Sequence, residues 1–309
     1  MKLSEDAGYQ WQDRQNGIGG QALGLMYSPD NTNELFAFQI PCPPSLHSTL
    51  YFSNNQGVSW EQQLKAWSGG CDLMIGAEGN IYRDKLWTIH YSIDNGVTWR
   101  DKSFPIGRRI RSLAAFPKIP GRLIVSAQDE ETILVSSESG SNWKETSKGL
   151  LEPYNFIFGS QVVYAVDLDK IARSDDLGES WSLCLYPGDE ITISDTNFAI
   201  DPTDDDIVYL ATKSRGVFSS RDGCLSWDEI NNGLQDHNIS SIAIDPNDHL
   251  KLYVGTLGGA YISLDQGATW GLVNDGLLGA NIINSIIVTS DDSTVYASTP
   301  YGIFTLEEK

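Results

Sequence analysis

The chain has 309 residues, 40% of them hydrophobic, and carries 41 acidic against 21 basic side chains for a formal net charge of −20. That length allows one large domain or two or three small ones. The charge argues against nucleic-acid phosphate as the main partner, and no apolar run reaches the roughly 18 residues that a membrane span needs.

From the amino terminus, "MKLSEDAG" has no apolar core and does not read as a signal peptide. A secreted or periplasmic chain that had lost its leader would look the same. The first recognisable unit is "SEDAGYQW" from Ser4, followed by "SNNQGVSW" from Ser53, "SIDNGVTW" from Ser92 and "SSESGSNW" from Ser136. It returns as "SDDLGESW" from Ser174, "SRDGCLSW" from Ser220 and "SLDQGATW" from Ser263. The starts are 49, 39, 44, 38, 46 and 43 residues apart, a period that marks a repeat architecture. Aspartate two residues before glycine is a tight-turn signal, because Asp accepts from nearby backbone N–H groups and Gly tolerates positive φ. Asp6, Asp94, Asp176, Asp222 and Asp265 hold that place, and Asn55 and Glu138 substitute for it. In the sixth copy Gly223 stands one place early and Cys224 takes the glycine position. Every copy keeps its tryptophan: Trp11, Trp60, Trp99, Trp143, Trp181, Trp227 and Trp270.

Between copies the text reads as strands. First strands are expected in "LGLMYSPD", "CDLMIGAE", "RSLAAFPK", "YNFIFGS", "NFAIDPTD", "SIAIDPND" and "SIIVTSDD". Second strands follow in "ELFAFQI", "RLIVSAQ", "VVYAVD", "IVYLAT", "KLYVGT" and "TVYAST", with a weak equivalent near "NIYRDK". A third strand runs into each serine and the tryptophan opens a fourth. No helix of ten or more residues is needed. Four antiparallel strands repeated seven times predict an all-β, seven-bladed β-propeller of four-stranded antiparallel blades over residues 1–309. The last unit stops after three strands at "GIFTLEEK" and the first residues supply a fourth at "YQWQD", so the N- and C-terminal strands are expected to share one blade and close the ring.

These copies resemble the Asp-box, or BNR, repeat of sialidases, xyloglucan-cleaving family 74 glycoside hydrolases, sortilin-type receptors and propeller-shaped photosystem II assembly factors. The resemblance covers essentially the whole chain and implies the fold; those groups share the box without sharing a chemistry. In them the boxes lie on the face away from the active site, so the box residues are expected to be structural. A sialidase would need an early arginine–isoleucine–proline motif, which "RRIRS" is not. Family 74 enzymes build a cleft between two tandem propellers with a catalytic aspartate from each, and one is present here. Sortilin-type receptors have ten blades and cysteine-rich modules. The glycine–tryptophan–alanine–valine–glycine wording of the assembly factors is not evident.

Function is therefore expected on the opposite end, at the loops joining second to third strands and the connections between blades. "PIGRRIRS" brings Arg108, Arg109 and Arg111 together, able to clamp a carboxylate or phosphate or to pair with the acidic body. Trp67, Tyr154 and Tyr301 could stack on a sugar or peptide. Acidic candidates are Asp129, Glu130 and Glu131; Asp167 and Asp169; and Asp189, Glu190 and Asp195. A glycosidase would need two of them roughly 5 Å apart for retention or 6.5–9.5 Å for inversion. Asp201, Asp204 and Asp206 on the box side could ligate calcium, with a solvated surface as the alternative. Asp236 and His237 could reach the binding end; His47, His90 and His249 are scattered. No zinc, nucleotide or dinucleotide motif occurs, and no cofactor or metal is expected. Cys42, Cys71, Cys184 and Cys224 show no C-x-x-C spacing, and Cys42 could reach Cys71. The reading is a non-catalytic binding or assembly propeller facing a glycan or protein, with a carboxylate-pair glycoside hydrolase as the alternative.

Overall fold

The structure, a computed structural model, describes residues 9–14, 16, 18, 24–28, 31–39, 48–67, 73–85, 87–104, 109–128, 131–167, 170–185, 187–188, 193–277 and 282–308. They form 28 strands, and among the described residues the one helical element is a 3-10 turn at Ala77–Gly79. In chain order, β1 (Tyr9–Asp13) is followed by β2 (Gly24–Ser28), β3 (Asn31–Gln39), β4 (Ser48–Ser53) and β5 (Glu61–Trp67). Next come β6 (Leu73–Ile75), β7 (Ile81–Lys85), β8 (Thr88–Ser92) and β9 (Arg100–Ser103), then β10 (Ile110–Ala115), β11 (Leu123–Ala127), β12 (Thr132–Ser136) and β13 (Lys144–Lys148). β14 (Asn155–Phe158), β15 (Val163–Val166), β16 (Ile171–Ser174) and β17 (Ser182–Leu183) precede β18 (Ile193–Asp201), β19 (Asp204–Thr212), β20 (Val217–Ser220) and β21 (Asp228–Glu229). The series ends with β22 (Ile239–Ile244), β23 (Leu252–Thr256), β24 (Ala260–Ser263), β25 (Gly271–Leu272), β26 (Ser285–Val288), β27 (Val295–Thr299) and β28 (Gly302–Glu308).

Six consecutive sets of four, β2–β5 through β22–β25, are meandering four-stranded sheets, and the seventh has the order β1-β28-β27-β26. This is the blade pattern of a seven-bladed β-propeller. Head and tail share a sheet as expected: β1 runs antiparallel to β28, with Trp11 opposite Leu306 and Gln12 opposite Thr305.

By contact density the chain divides into two compact units: residues 1–25, 54–60 and 185–309, and residues 26–53 and 61–184. In the first, Trp11, Tyr253, Ile262, Ile286 and Phe304 belong to one core and Tyr209, Leu234, Val254 and Trp270 to another. In the second, cores form around Phe36, Leu50 and Ile81, around Ile89, Leu113 and Val125, and around Ile124, Ile133 and Phe156. Second strands such as β11, β23 and β27 are buried at every residue, because sheets covered on both faces need unbroken apolar runs.

The repeated turns show why the motif has its spacing. At Ser92 the hydroxyl donates to Asp94 Oδ1 at 2.8 Å and accepts from Gly96 N at 2.9 Å. Asp94 in turn accepts from Thr98 N (2.8 Å) and Thr98 Oγ1 (2.6 Å). The same four bonds recur from Ser174, Ser220 and Ser263, within 2.6–2.9 Å. The substitutes do equivalent work: Asn55 accepts from Ser59 N at 3.0 Å, and Glu138 accepts from Asn142 Nδ2. Two successive residues take positive φ, for example Asn95 and Gly96 at 54° and 86°, or Gln266 and Gly267 at 56° and 85°. In the sixth copy the pair is Gly223 (67°) and Cys224 (72°), so the glycine moves to the first left-handed place while Cys224 N keeps the bond to Ser220 Oγ.

The indoles divide into two sets. Trp11, Trp60, Trp227 and Trp270 donate from Nε1 to the carbonyls of Val273, Arg14, Leu185 and Ile230, each one or two residues beyond the end of a fourth strand: β25, β1, β17 and β21 respectively. Trp99 and Trp143 donate instead to their own turn glycines, Gly96 and Gly140, and Trp181 to Thr146 Oγ1. In the first unit the connections are cut to fit. Trp270 N donates to Asn232 O and Trp11 N to Asp275 O. A Cβ on Gly233 or Gly276 would lie 2.3 or 2.2 Å from the carbonyl oxygen of Trp270 or Trp11, so only glycine follows Asn232 and Asp275.

Two outcomes are expected. Trp270→Ala lowers the denaturant midpoint by the equivalent of about 3–5 kcal/mol, as for a packed aromatic, and more than Asp265→Ala or Trp99→Ala, since Trp270 is buried and tied to a neighbouring connection. Equal midpoints for Trp270→Ala and Trp99→Ala would remove the distinction. The turn carboxylates also predict an acid limb. Bonds from the Thr98 and Ser226 hydroxyls hold Asp94 and Asp222 below the usual carboxylate range, Asp222 at about 2. At Asp176 and Asp265 burial pushes upward and is outweighed by hydrogen bonds from Ser180 and Thr269. A lowered folded value means stability that is complete above the unfolded Asp value near 4 and is lost as pH falls toward the folded one. Asp222→Asn, built on the geometry of Asn55, is expected to fold and to flatten part of the stability loss between pH 4 and 2, read from urea midpoints against pH.

Candidate functional site: the loop end around Arg111

Within each sheet the two ends are distinct. First-to-second turns meet the repeated turns, as in Gln266 N to Leu250 O (2.9 Å) and Ser139 N to Gly121 O (2.6 Å). Second-to-third loops meet the connections instead, as in Gly149 N to Glu131 O (2.9 Å) and Gly216 N to His237 O (3.0 Å). This is the division expected from strand direction.

On the loop end of the second unit the structure joins two of the residues singled out in the sequence. Register shifts between Ile110 and Ser112, so Arg111 sits at a bulge in β10, a device that re-aims a side chain. Its guanidinium lies over the Tyr154 ring, 3.6 Å from the centroid. Its Nη1 is 3.6 Å from Glu152 Oε2, a loose ion pair with both side chains about one-fifth exposed. Arg111 Nε is buried without a hydrogen bond. The strip beneath is fixed: Glu152 N donates to Asp167 Oδ2 (3.0 Å), Ser126 Oγ to Pro153 O (2.7 Å) and Tyr154 N to Val166 O (2.9 Å). Beside it, Lys170 Nζ reaches Glu131 Oε1 at 3.4 Å and Leu150 O at 3.3 Å. Arg109 is exposed, and its carbonyl accepts from Gln128 N at 2.8 Å. An aromatic-backed arginine beside carboxylates can hold a planar anion, a peptide group or a sugar face.

The other expectations fare differently. Asp6, Cys42, Cys71, Arg108, Asp129, Glu130, Asp169, Asp189 and Glu190 lie outside the described residues. Trp67 and Asp195 are placed by backbone alone, in β5 and β18. Tyr301, 68% exposed, belongs to the first unit. Asp167 caps the strip under Tyr154. Asp201 is fully buried and accepts from Thr203 N and Oγ1 (2.8 and 2.6 Å) while His249 Nδ1 stands 3.0 Å away, so its carboxylate organises the hairpin turn. Among the described residues no group of three or more His, Cys, Asp or Glu could hold a metal ion. Asp236 accepts from Asn238 N at 2.9 Å, and His237 is exposed. Sequence reasoning missed Trp87, 49% exposed in the β7–β8 turn at the loop end of the same unit. The signal was available: with Trp67 it is one of two tryptophans outside the repeated motif.

No family model matches the chain. Over 120 residues it is 30% identical to vacuolar protein sorting/targeting protein 10 of Komagataella phaffii, a stretch that is 36% of this chain and 7% of that protein. Among solved structures it is similar to YCF48 bound to D1 peptide, with a TM-score of 0.72 at 13% identity, over 98% of this chain and 95% of that one. It is likewise similar to YCF48 from Cyanidioschyzon merolae (TM-score 0.68, 14% identity, 96% and 98% covered). The GH74 xyloglucanase from Xanthomonas campestris gives a TM-score of 0.71 at 15% identity, covering 96% of this chain and 53% of that one. The chain has the seven-bladed β-propeller fold. At such identities the likeness reaches the fold and goes no further.

If the ring and the guanidinium support each other, a double-mutant cycle of Arg111→Ala and Tyr154→Ala in urea denaturation returns a coupling of about 0.5–1 kcal/mol. Strict additivity of the two single variants would show that the stack contributes nothing.

Proposed function

We propose that this chain is a non-catalytic binding or assembly propeller that presents the loop end around Arg111 and Tyr154 to a protein or glycan. The observation that carries the reading is the Arg111–Tyr154 stack, held on a strip whose backbone is fixed by three hydrogen bonds. A rigid arginine over an aromatic face is a preformed recognition element that does no bond-breaking chemistry by itself. The similar YCF48 structure was solved with a peptide and is matched over 95% of its length, whereas the xyloglucanase is matched over 53%. That contrast supports the binding reading over the family 74-like hydrolase. The seven turns are read as Asp-box turns with structural duty, which leaves the loop end for the ligand.

The net charge of −20 favours partners other than nucleic acid. No helix among the described residues is long and apolar enough to cross a membrane. Cys184 and Cys224 are both disulfide-bonded, which fits an oxidising compartment such as a periplasm or the outside of a cell. Alkylation of the native protein without reductant is expected to leave both unlabelled.

The class is tested by two measurements on the purified chain. Incubation with xyloglucan and other β-glucans is expected to release no reducing ends, and turnover would replace the binding reading with the hydrolase. Peptide and glycan arrays are expected to give ligands whose affinity falls about five- to thirtyfold in Arg111→Ala and Tyr154→Ala, the equivalent of ~1–2 kcal/mol. Unchanged affinity in both variants would move the site elsewhere.

A further inference from the structure

Two residues beyond the one facing the repeated serine, the second strands carry Val125, Ala165, Leu210 and Val254, all buried. In β7 that place is Arg83. The register sets Arg83 opposite His90 and His90 opposite Asp101, so a cation, an imidazole and a carboxylate form one cross-strand row over three strands. Arg83 and His90 are 7% and 6% exposed, while the Asp101 side chain is 60% exposed. Arg83 Nη2 lies 2.8 Å from His90 Nδ1, and the guanidinium stands over Trp99, 4.8 Å from the ring centroid. His90 Nε2 lies 2.7 Å from Asp101 Oδ1, in ion-pair contact more than in well-aligned hydrogen-bond geometry.

A guanidinium has protons on every nitrogen and cannot accept, so the short contact requires a bare Nδ1 on His90. The ring proton then sits on Nε2, facing Asp101, and the neutral ring links a buried cation to an exposed carboxylate. Among the described residues, Arg83 and Asp101 are charged groups in contact with the ring, and Asp84 of β7 also acts on Arg83. From the β2–β5 sheet, the face that bears Phe36, Leu50 and Phe52 against this sheet's Ile81 carries, among the described residues, Glu61 opposite Phe52 and Glu34 two residues before Phe36 in β3. A proton taken up from solvent at Nδ1 would put two cations 2.8 Å apart in a site almost closed to water.

We propose that the Arg83–His90–Asp101 row is an acid-sensitive latch: protonation of His90 Nδ1 breaks its bond to Arg83 and opens the β7–β9 portion of its sheet. The sign follows from linkage. The folded ring resists the proton, and the unfolded ring takes it near pH 6.5, so stability is complete above about 6.5 and is lost as pH falls below it. Trp87 lies in the turn between β7 and β8, so opening displaces this exposed indole. That consequence for ligand capture rests on the binding reading above; the latch does not.

The test is hydrogen exchange of the full chain between pH 7.5 and 5, corrected for the intrinsic pH dependence of exchange. Amides of residues 81–103 are expected to lose protection by up to about tenfold per pH unit below 6.5, while residues 239–272 keep theirs. His90→Gln keeps an acceptor and a donor without titrating, and is expected to abolish the slope. The same slope in both proteins, or none in the wild type, overturns the latch. Should His90→Gln fail to fold, the His90 ring resonance of the wild type decides. It is expected to titrate below the free imidazole value, in step with the loss of protection; titration at the free value near 6.5 with protection intact overturns the proposal. Loss of the array ligands at pH 5 without loss of protection would leave the binding reading standing and the latch refuted.

Discussion

The constraint on which the rest of the structure leans is the indole at the end of each repeated turn. Fourth strands such as β21 and β25 are two residues long and contribute few ladder bonds. What fixes the chain beyond them is the next tryptophan: Trp270 Nε1 on Ile230 O and Trp11 Nε1 on Val273 O, at 2.7 Å each, inside buried apolar clusters. A bond of this kind is strong where water is excluded and costly to leave unmade, which accounts for the ring at Trp11 and Trp270; at Trp99, Trp143 and Trp181 the indole bonds elsewhere, and its apolar face against the neighbouring strands is what the copies share. Gly233 and Gly276 serve the same contact from the other side, since any side chain there would strike the backbone of the tryptophan.

Much of this was legible in the sequence. The strands found at "LGLMYSPD", "KLYVGT" or "TVYAST" are where the apolar runs put them, and even "NIYRDK" is a full strand, β7. The shared terminal sheet was readable because an orphan fourth strand at "YQWQD" matched a unit that lacked one. The reason is physical: a second strand covered on both faces and a turn with two left-handed residues leave strong local signatures. The motif itself does not distinguish among the seven tryptophans. Trp99 and Trp143 bond to their own glycines, a difference set by neighbouring residues that the motif does not contain. The sixth turn looked misregistered, yet the backbone shows two adjacent left-handed positions, either of which glycine can fill.

The loop end was legible only in part, because it is assembled from segments distant in sequence that share no period. Arg111 and Tyr154 were singled out separately, one for its charge and one for its ring. That they stack depends on a bulge in β10 and on Asp167, Ser126 and Val166 holding the strip that carries Tyr154. Asp167 shows why counting acidic residues is poor evidence for catalysis: it was a candidate acid and is spent on a backbone N–H. Asp201 likewise serves a hairpin turn where the sequence allowed a cation.

The blade with the weakest sequence signal is also the one with an unusual interior. β7 was hard to recognise because Arg83 and Asp84 stand where its counterparts carry valine and serine, leucine and alanine, or valine and glycine. Removing a charge from water costs several kcal/mol unless partners restore the lost interactions, and here the restoration runs through His90 to a carboxylate at the surface and through the face of Trp99. An apolar residue at position 83 would satisfy the propeller with less. A buried arginine in short contact with a titratable imidazole therefore makes this sheet answer to a variable, pH, that its apolar counterparts do not sense. The same substitution that blurred the repeat in the sequence marks where the repeat has been given a separate task.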